Sequence, residues 1–438
     1  MTRRIGFVSF ALVLTLVSSA CFAKRVTVGE HSPGGPLGGA GPNSSGVTTG
    51  GPRPPCQRIR TQTSSKAPTE KLPPAIVKVA DEVQQIRGLQ FKHPVAAEAV
   101  SQAEIARLLN QGLDQGFPKD EAARTGQAWS TMGVIPVGTN LRKAVEDFNS
   151  SQVVGFYNTT DGRLVTLGGA SLNPYERFAL AHELTHALQD QNFDLGRADQ
   201  LDKTCQDERV EAFLSLEEGD SVETSVEWAT QSFTSSEVDQ FNKEQKEASS
   251  SSPLPASVPP FVRNLLVWPY EPGQRFVQAL QARGGERAVD QAFQQPPTST
   301  EQILHPEKFP ADRPITVNVP DFGPRLGSGW KDLEFEDVGE SWFRLMLELR
   351  IPAESADTAA AGWGGGQYRA WSDGEGKTAV VMDTLWDTDK DASEFAQAMD
   401  NWLGDQPGKV LAPSGNKVRV LFGSDQETLS RLQAAVSG

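Results

Sequence analysis

Hydrophobic positions at helical spacing first appear at Ile76, Val79, Val83 and Ile86, so ordered structure is expected to begin near residue 75. An extended piece follows over 94–100. Ser101 and Glu104 then form the two ends of a capping box, which opens a second helix running through Leu109. Further helices are expected over 118–131 and 139–149. Apolar runs at 153–157 and 164–167, separated by a polar turn, read as a β-hairpin. Directly after it, Asn173, Pro174 and Glu176 supply an N-cap, a proline at the first helical position and an acid at the third. The helix they start carries Phe178, Leu180, Ala181, Leu184, Ala187 and Leu188 around a polar trio, as expected of a helix buried on most sides.

A second helical stretch over 207–228 is unusually acidic, with Glu208, Glu211, Glu217, Glu218 and Asp220. Residues 231–260 are rich in serine and proline and are expected to form a mobile excursion. Helices near 276–283 and near Ala288 follow. From about residue 326 the texture changes. Apolar Phe343, Leu345, Leu347 and Leu349, strand-like runs at 378–382 and 418–422, a helix over 391–403 and a last helix capped by Ser424 with Glu427 predict a compact α+β unit. The expected fold class is α+β: a mainly helical domain with a small β-hairpin over 75–325, and a smaller accessory α+β domain over 326–438.

The chain of 438 residues is 38% hydrophobic, enough for sizeable cores, and its formal net charge of −15 argues against a nucleic-acid partner. Arg3 and Arg4 precede an uncharged run over 5–23 that ends in small residues, the pattern of a secretory signal peptide over 1–23. Cys21 is a candidate site for an N-terminal lipid anchor. No later stretch is apolar enough to span a bilayer, so the expected location is exported: periplasmic, extracellular or lipid-anchored at the cell envelope. Residues 24–74 are rich in Gly, Pro, Ser and Thr and read as a disordered tether. Cys56 and Cys205 are the two thiols left after export, and a bridge between them is expected in an oxidising compartment.

The polar trio on the capped helix is His182, Glu183 and His186, an H-E-x-x-H pattern. Positions four apart stack on one helical face, so both imidazoles reach one tetrahedral zinc ion, Zn2+, while Glu183 lies one residue off the stripe and is placed to act as a general base. Two histidines leave such a site incomplete. The third-histidine continuation of one peptidase class is excluded by Gln189 and Asn192, and positions 19 and 20 after His186 hold Cys205 and Gln206. In the acidic helix, Glu218 falls in an i, i+4 row with Leu214, Val222 and Val226, where an unpaired charge is costly. Glu211 and Glu217 are the alternatives. His305 is a candidate oxyanion stabiliser, and the hairpin is a candidate rail for an extended peptide.

The run from His182 to Gln191 (HELTHALQDQ) and on through Phe193-Asp194-Leu195 resembles zinc metallopeptidases of the gluzincin type, and more closely a group of exported bacterial predicted metallopeptidases. The similarity continues at Glu218-Gly219-Asp220, at Pro269-Tyr270 with Gly273 and Phe276, over 299–306, and at 362–365. It spans roughly residues 75 to 390. It implies a mainly helical zinc-peptidase-like domain acting on peptide or protein substrates. Among the carboxylates it favours Glu218 as the third ligand, with Asp220 orienting a ligand histidine. Ser221 stands where the group usually has Ala, and Gly366 where it tends to have Asp; neither is expected to touch a ligand. The competing expectation is a non-catalytic envelope protein with a structural or vestigial zinc site.

Overall fold

The computed structural model describes residues 49–50, 52–58, 72, 74–152, 155–159, 161–167, 172–251 and 255–438. The expected leader over 1–23 and most of the stretch over 24–74 lie outside the described residues. The chain is a mixed α+β molecule dominated by helices. A short strand, β1 (Thr49–Gly50), comes first. Helix α1 (Pro74–Arg87) leads to β2 (Ala96–Val100) and to α2 (Gln102–Gly116), α3 (Lys119–Met132) and α4 (Leu141–Gln152). Strands β3 (Gly155–Asn158) and β4 (Arg163–Leu167) form the expected hairpin, with Phe156 opposite Val165. On its other side β4 takes β2 as a parallel neighbour, so the order is β2-β4-β3 and β3 is left as an edge.

Helices α5 (Pro174–Phe193), α6 (Arg197–Lys203) and α7 (Asp207–Ser232) follow. The start of α5 is chemically fixed: the Asn173 side chain accepts the Glu176 N–H at 2.8 Å, and the Glu176 carboxylate accepts the Asn173 N–H at 2.9 Å. Leu180, Leu184 and Leu188 pack with Val79 and Val83 of α1 and Trp228 of α7. Each such leucine contributes on the order of 2 kcal/mol. Over 231–260, where a mobile excursion is expected, the chain instead forms α8 (Ser235–Ser251). The reason is Phe241, whose ring centre lies 5.2 Å from that of Phe178 and 6.1 Å from that of Tyr175, docking an otherwise polar helix on α5.

Helices α9 (Pro260–Val267), α10 (Tyr270–Gly284), α11 (Glu286–Gln294) and α12 (Thr300–Leu304) complete the helical part. Strand β5 (Val317–Asn318) pairs with β1, and α13 (Gly323–Leu326) leads into an antiparallel sheet of β6 (Lys331–Asp337), β7 (Trp363–Ser372), β8 (Thr378–Trp386), β9 (Gly408–Val410) and β10 (Lys417–Gly423), ordered β6-β7-β8-β10-β9. Helices α14 (Glu340–Leu347), α15 (Ala353–Ala360), α16 (Asp389–Leu403) and α17 (Gln426–Ser437) belong to the same region. The cap of α17 is Asp425, which accepts the Thr428 N–H at 2.7 Å. Ser424, the expected cap, accepts the Thr378 N–H of β8 at 3.1 Å instead.

Side chains of the sheet alternate between two cores. Val380 and Met382 pack with Phe395 and Met399 of α16, whereas Ala379 and Val381 pack with Leu429 and Leu432 of α17. The first core does not end with the sheet. It continues through Trp342 and Phe343 to Phe261, Phe276, Phe213 and Trp129, and the Trp129 indole donates to the Tyr368 hydroxyl at 3.1 Å. The change of texture near residue 326 is therefore not a boundary between cores, because the apolar faces on either side bury each other. The tether reading also gives way over 52–58. Cys56 is joined to Cys205, Pro54 is buried, and Arg53 makes a two-point ion pair with Asp337 at 3.1 and 2.7 Å.

Candidate metal centre

His182 and His186 lie one turn apart on α5 with their Nε2 atoms 3.0 Å from each other. Glu218 reaches in from α7, its Oε2 3.1 Å from His182 Nε2 and 3.5 Å from His186 Nε2. All three side chains are fully buried. Ligand atoms on a tetrahedral zinc stand roughly 3.3 Å apart, given bonds of about 2.0–2.1 Å, so these separations suit one ion held by all three. The donor set fits as well: two imidazole nitrogens and a carboxylate converge where burial pushes the Glu218 carboxyl well above its usual range. Of the alternatives, Glu217 is buried outside the trio, and Glu211 lines a cavity beside it.

The motif that carries the histidines also fixes its surroundings. Gln189 Oε1 lies 2.9 Å from His186 Nδ1, while its amide nitrogen faces acceptors only, the Glu217 carbonyl and Asp220 Oδ2 at 2.9 Å each and Ser221 Oγ at 3.1 Å. The amide orientation is thereby set, which places the imidazole proton on Nδ1 and leaves the Nε2 lone pair for a ligand. Asp220 therefore acts through Gln189 rather than on a histidine, correcting the expectation. Ser221 is a second correction: its Oγ lies 3.1 Å from His186 Nδ1, so the residue does touch a candidate ligand. Next in the motif, Asp190 accepts the Tyr157 hydroxyl at 2.9 Å, and Gln191 accepts the backbone N–H groups of Lys92 and His93 at 2.8 and 3.1 Å. The fully buried Arg87 of α1 pairs with Asp220, Glu286 and Asp290 at 2.8 Å each, joining α1, α7 and α11 behind the site.

Glu183 stands beside the trio and not in it. Its Oε2 accepts the backbone N–H of Tyr157 on the edge strand β3 at 2.7 Å. Two glycines let α10 come close on the other side. A Cβ on Gly219 would sit 2.1 Å from the Gly273 carbonyl carbon, and one on Gly273 would sit 2.0 Å from the Ser215 oxygen. That close crossing brings Tyr270 over the centre, its ring stacked 6.3 Å from the His182 ring and its side chain near enough to Glu218 to oppose the upward push that burial gives the carboxyl. Only its place after Pro269 in a recurring pattern marked Tyr270 in the sequence.

His305 is placed elsewhere. It pairs with Glu340 at the start of α14, at 2.9 Å, and that bond raises the imidazole pKa. A second group of acids, Glu301, Asp312 and Asp387, surrounds the Lys308 ammonium at 2.6, 3.5 and 2.8 Å, so a lysine already supplies the positive charge there. Glu218 and Tyr270 are among the residues lining a cavity of about 60 Å³. The rest of its wall mixes apolar side chains such as Trp129, Leu214 and Leu266 with Glu121, Glu211, Glu334 and Glu336. Burial holds Glu334 up to about 7.

No helix among the described residues is long and apolar enough to cross a membrane. Comparisons with curated proteins and with solved structures give no match. Residues 328–433, which hold the antiparallel sheet and its helices but not the histidine helix, match a family described as a domain of unknown function, DUF8575.

Proposed function

We propose that the chain is an exported zinc-dependent peptidase in which His182, His186 and Glu218 hold the ion and Glu183 is the general base. The observation that carries this reading is the convergence of two Nε2 atoms and one carboxylate oxygen, that of Glu218, which also lines a cavity, with a further carboxylate next to them and outside the ligand set. When bound, zinc lowers the pKa of a coordinated water towards ~7 and polarises a carbonyl. The chain's own groups do the rest. Gln189 holds His186 in the required tautomer, Glu183 takes a proton and returns it to the leaving amine, and β3, whose Tyr157 N–H is bonded to Glu183, runs beside that carboxylate as the candidate rail for an extended peptide. The Cys56–Cys205 bridge supports an oxidising compartment, and the packing of α5 against α7 beside a sheet edge supports a zinc-peptidase-like helical region.

Complete burial of the trio favours a second reading, a non-catalytic envelope protein with a structural ion, since structural zinc sites are closed. Glu183→Gln separates the two. For a peptidase, the variant keeps zinc by metal analysis and loses about 100-fold or more of its turnover on a mixed peptide library. A zinc-replete wild type that cleaves nothing leaves the second reading standing.

A further inference from the structure

The cavity lined by Glu218 has a wall the enzyme reading does not use. Arg58, from the segment before α1, forms part of it. Its side chain is only 9% exposed, and it pairs with Asp202 at 2.8 Å, Asp207 at 2.5 Å and Glu121 at 3.5 Å. Glu334 also feels its charge from β6. Two anchors hold the segment in place. Cys56 is bonded to Cys205 in the turn between α6 and α7, and Arg53 donates to the Cys205 carbonyl and pairs with Asp337 at the far end of β6. A smaller pocket is lined by Pro54, Pro55 and Gln57 of the segment together with Asp332 and Phe335 of β6. The segment is thus a strap that ties the α6–α7 corner to the first strand of the sheet.

We propose that residues 52–58 are a disulfide-latched plug, in which Arg58 occupies a cation seat on the wall of the cavity and reduction of Cys56–Cys205 vacates that seat for a basic side chain of a peptide. Use of the seat by a substrate rests on the peptidase reading; the plug itself does not. The seat is already shown holding a guanidinium, so the acids around it are matched to a cation rather than merely solvated. The surrounding cavity adds apolar surface from Phe117, Trp129 and Leu141 for the methylene stem of an Arg or Lys side chain. Opening needs two electrons and two protons. A dithiol supplies both, becoming a cyclic disulfide while Cys56 and Cys205 become thiols. The latch then no longer offsets the competition from an incoming cation, and Arg58 leaves with the strap.

The test is binding of a fluorescently labelled tri-arginine peptide to the full chain, followed by anisotropy, with tri-alanine as control. The oxidised wild type should bind weakly. Dithiothreitol treatment, Cys56→Ser, and Arg58→Ala with the bridge intact should each tighten tri-arginine binding at least tenfold and leave tri-alanine unchanged. Adding Glu121→Gln to Arg58→Ala should remove most of the gain. Hydrogen exchange should rise over 52–58 on reduction while α5 and α7 keep their protection. The plug is overturned by an unchanged tri-arginine affinity in Arg58→Ala, or by an equal gain for tri-alanine. If reduction strips protection from α5 as well, the bridge is a structural staple and the latch is overturned. Binding is read without turnover, so a chain that gains tri-arginine binding and cleaves nothing keeps the plug and loses the peptidase reading.

Discussion

Gln189 lies almost one turn beyond His186, and an apolar residue there would free the imidazole to rotate and change tautomer. Its amide links Asp220 to the histidine. Gln189→Ala should therefore lower zinc affinity about 10–100-fold, as loss of an outer partner of a metal ligand typically does. Ser221→Ala should change it no more than a few-fold, because Gln189 still holds Nδ1. Glu218→Ala should abolish tight binding and Glu211→Ala should leave it nearly intact; calorimetric zinc titration of the four variants checks the set. If zinc affinity follows Glu211, the assigned trio is wrong. The histidine pair and Glu183 were legible in the sequence because their chemistry is encoded in spacing along one helix. Gln189 was legible as a residue excluding another ligand pattern and as part of the run from His182 to Gln191, but not as the group that holds His186, since its partners Glu217, Asp220 and Ser221 lie about thirty positions away and only folding shows that they accept from its amide.

Helix α7 meets α10 at Gly219 and Gly273, with no room for a single methyl group between the backbones. Gly219→Ala should cost about 1–3 kcal/mol or more, as overpacking a tight contact does. Because Gly219 directly follows Glu218 and the crossing carries Tyr270, zinc occupancy should fall along with the melting temperature. Paired thermal denaturation and metal analysis would show this; a variant that melts early yet holds full zinc would mean that the crossing does not position the site. Element boundaries were readable where local chemistry dictates them, as at the Asn173 cap of α5 and the Ser101 cap of α2. They failed where one distant contact overrules composition. Phe241 turns a Ser-rich stretch into α8, and the parallel pairing of β2 with β4 makes a sheet where the sequence predicts only a hairpin. Parallel neighbours are joined through intervening helices, and no local signal marks them.

At the scale of the whole molecule, the core that runs from Trp129 through Trp342 to Phe395 makes the helical part and the C-terminal sheet interdependent. The fragment 75–325 made alone would expose the apolar face that Tyr368, Val380 and Met382 cover. It should be aggregated or molten by near-ultraviolet circular dichroism, and the full chain should unfold in one transition; a soluble fragment with native-like exchange protection would refute this. Sequence texture suggested two domains because composition changes near residue 326, but composition does not say whether two apolar faces are turned towards each other. The bridge between Cys56 and Cys205, 149 positions apart, has a topological consequence as well. It closes the backbone into a ring that contains α1 to α6, with both histidines inside and Glu218 outside. A single backbone cut anywhere in that ring yields two chains that remain one covalent molecule, migrating as one species until the bridge is reduced and as two fragments afterwards.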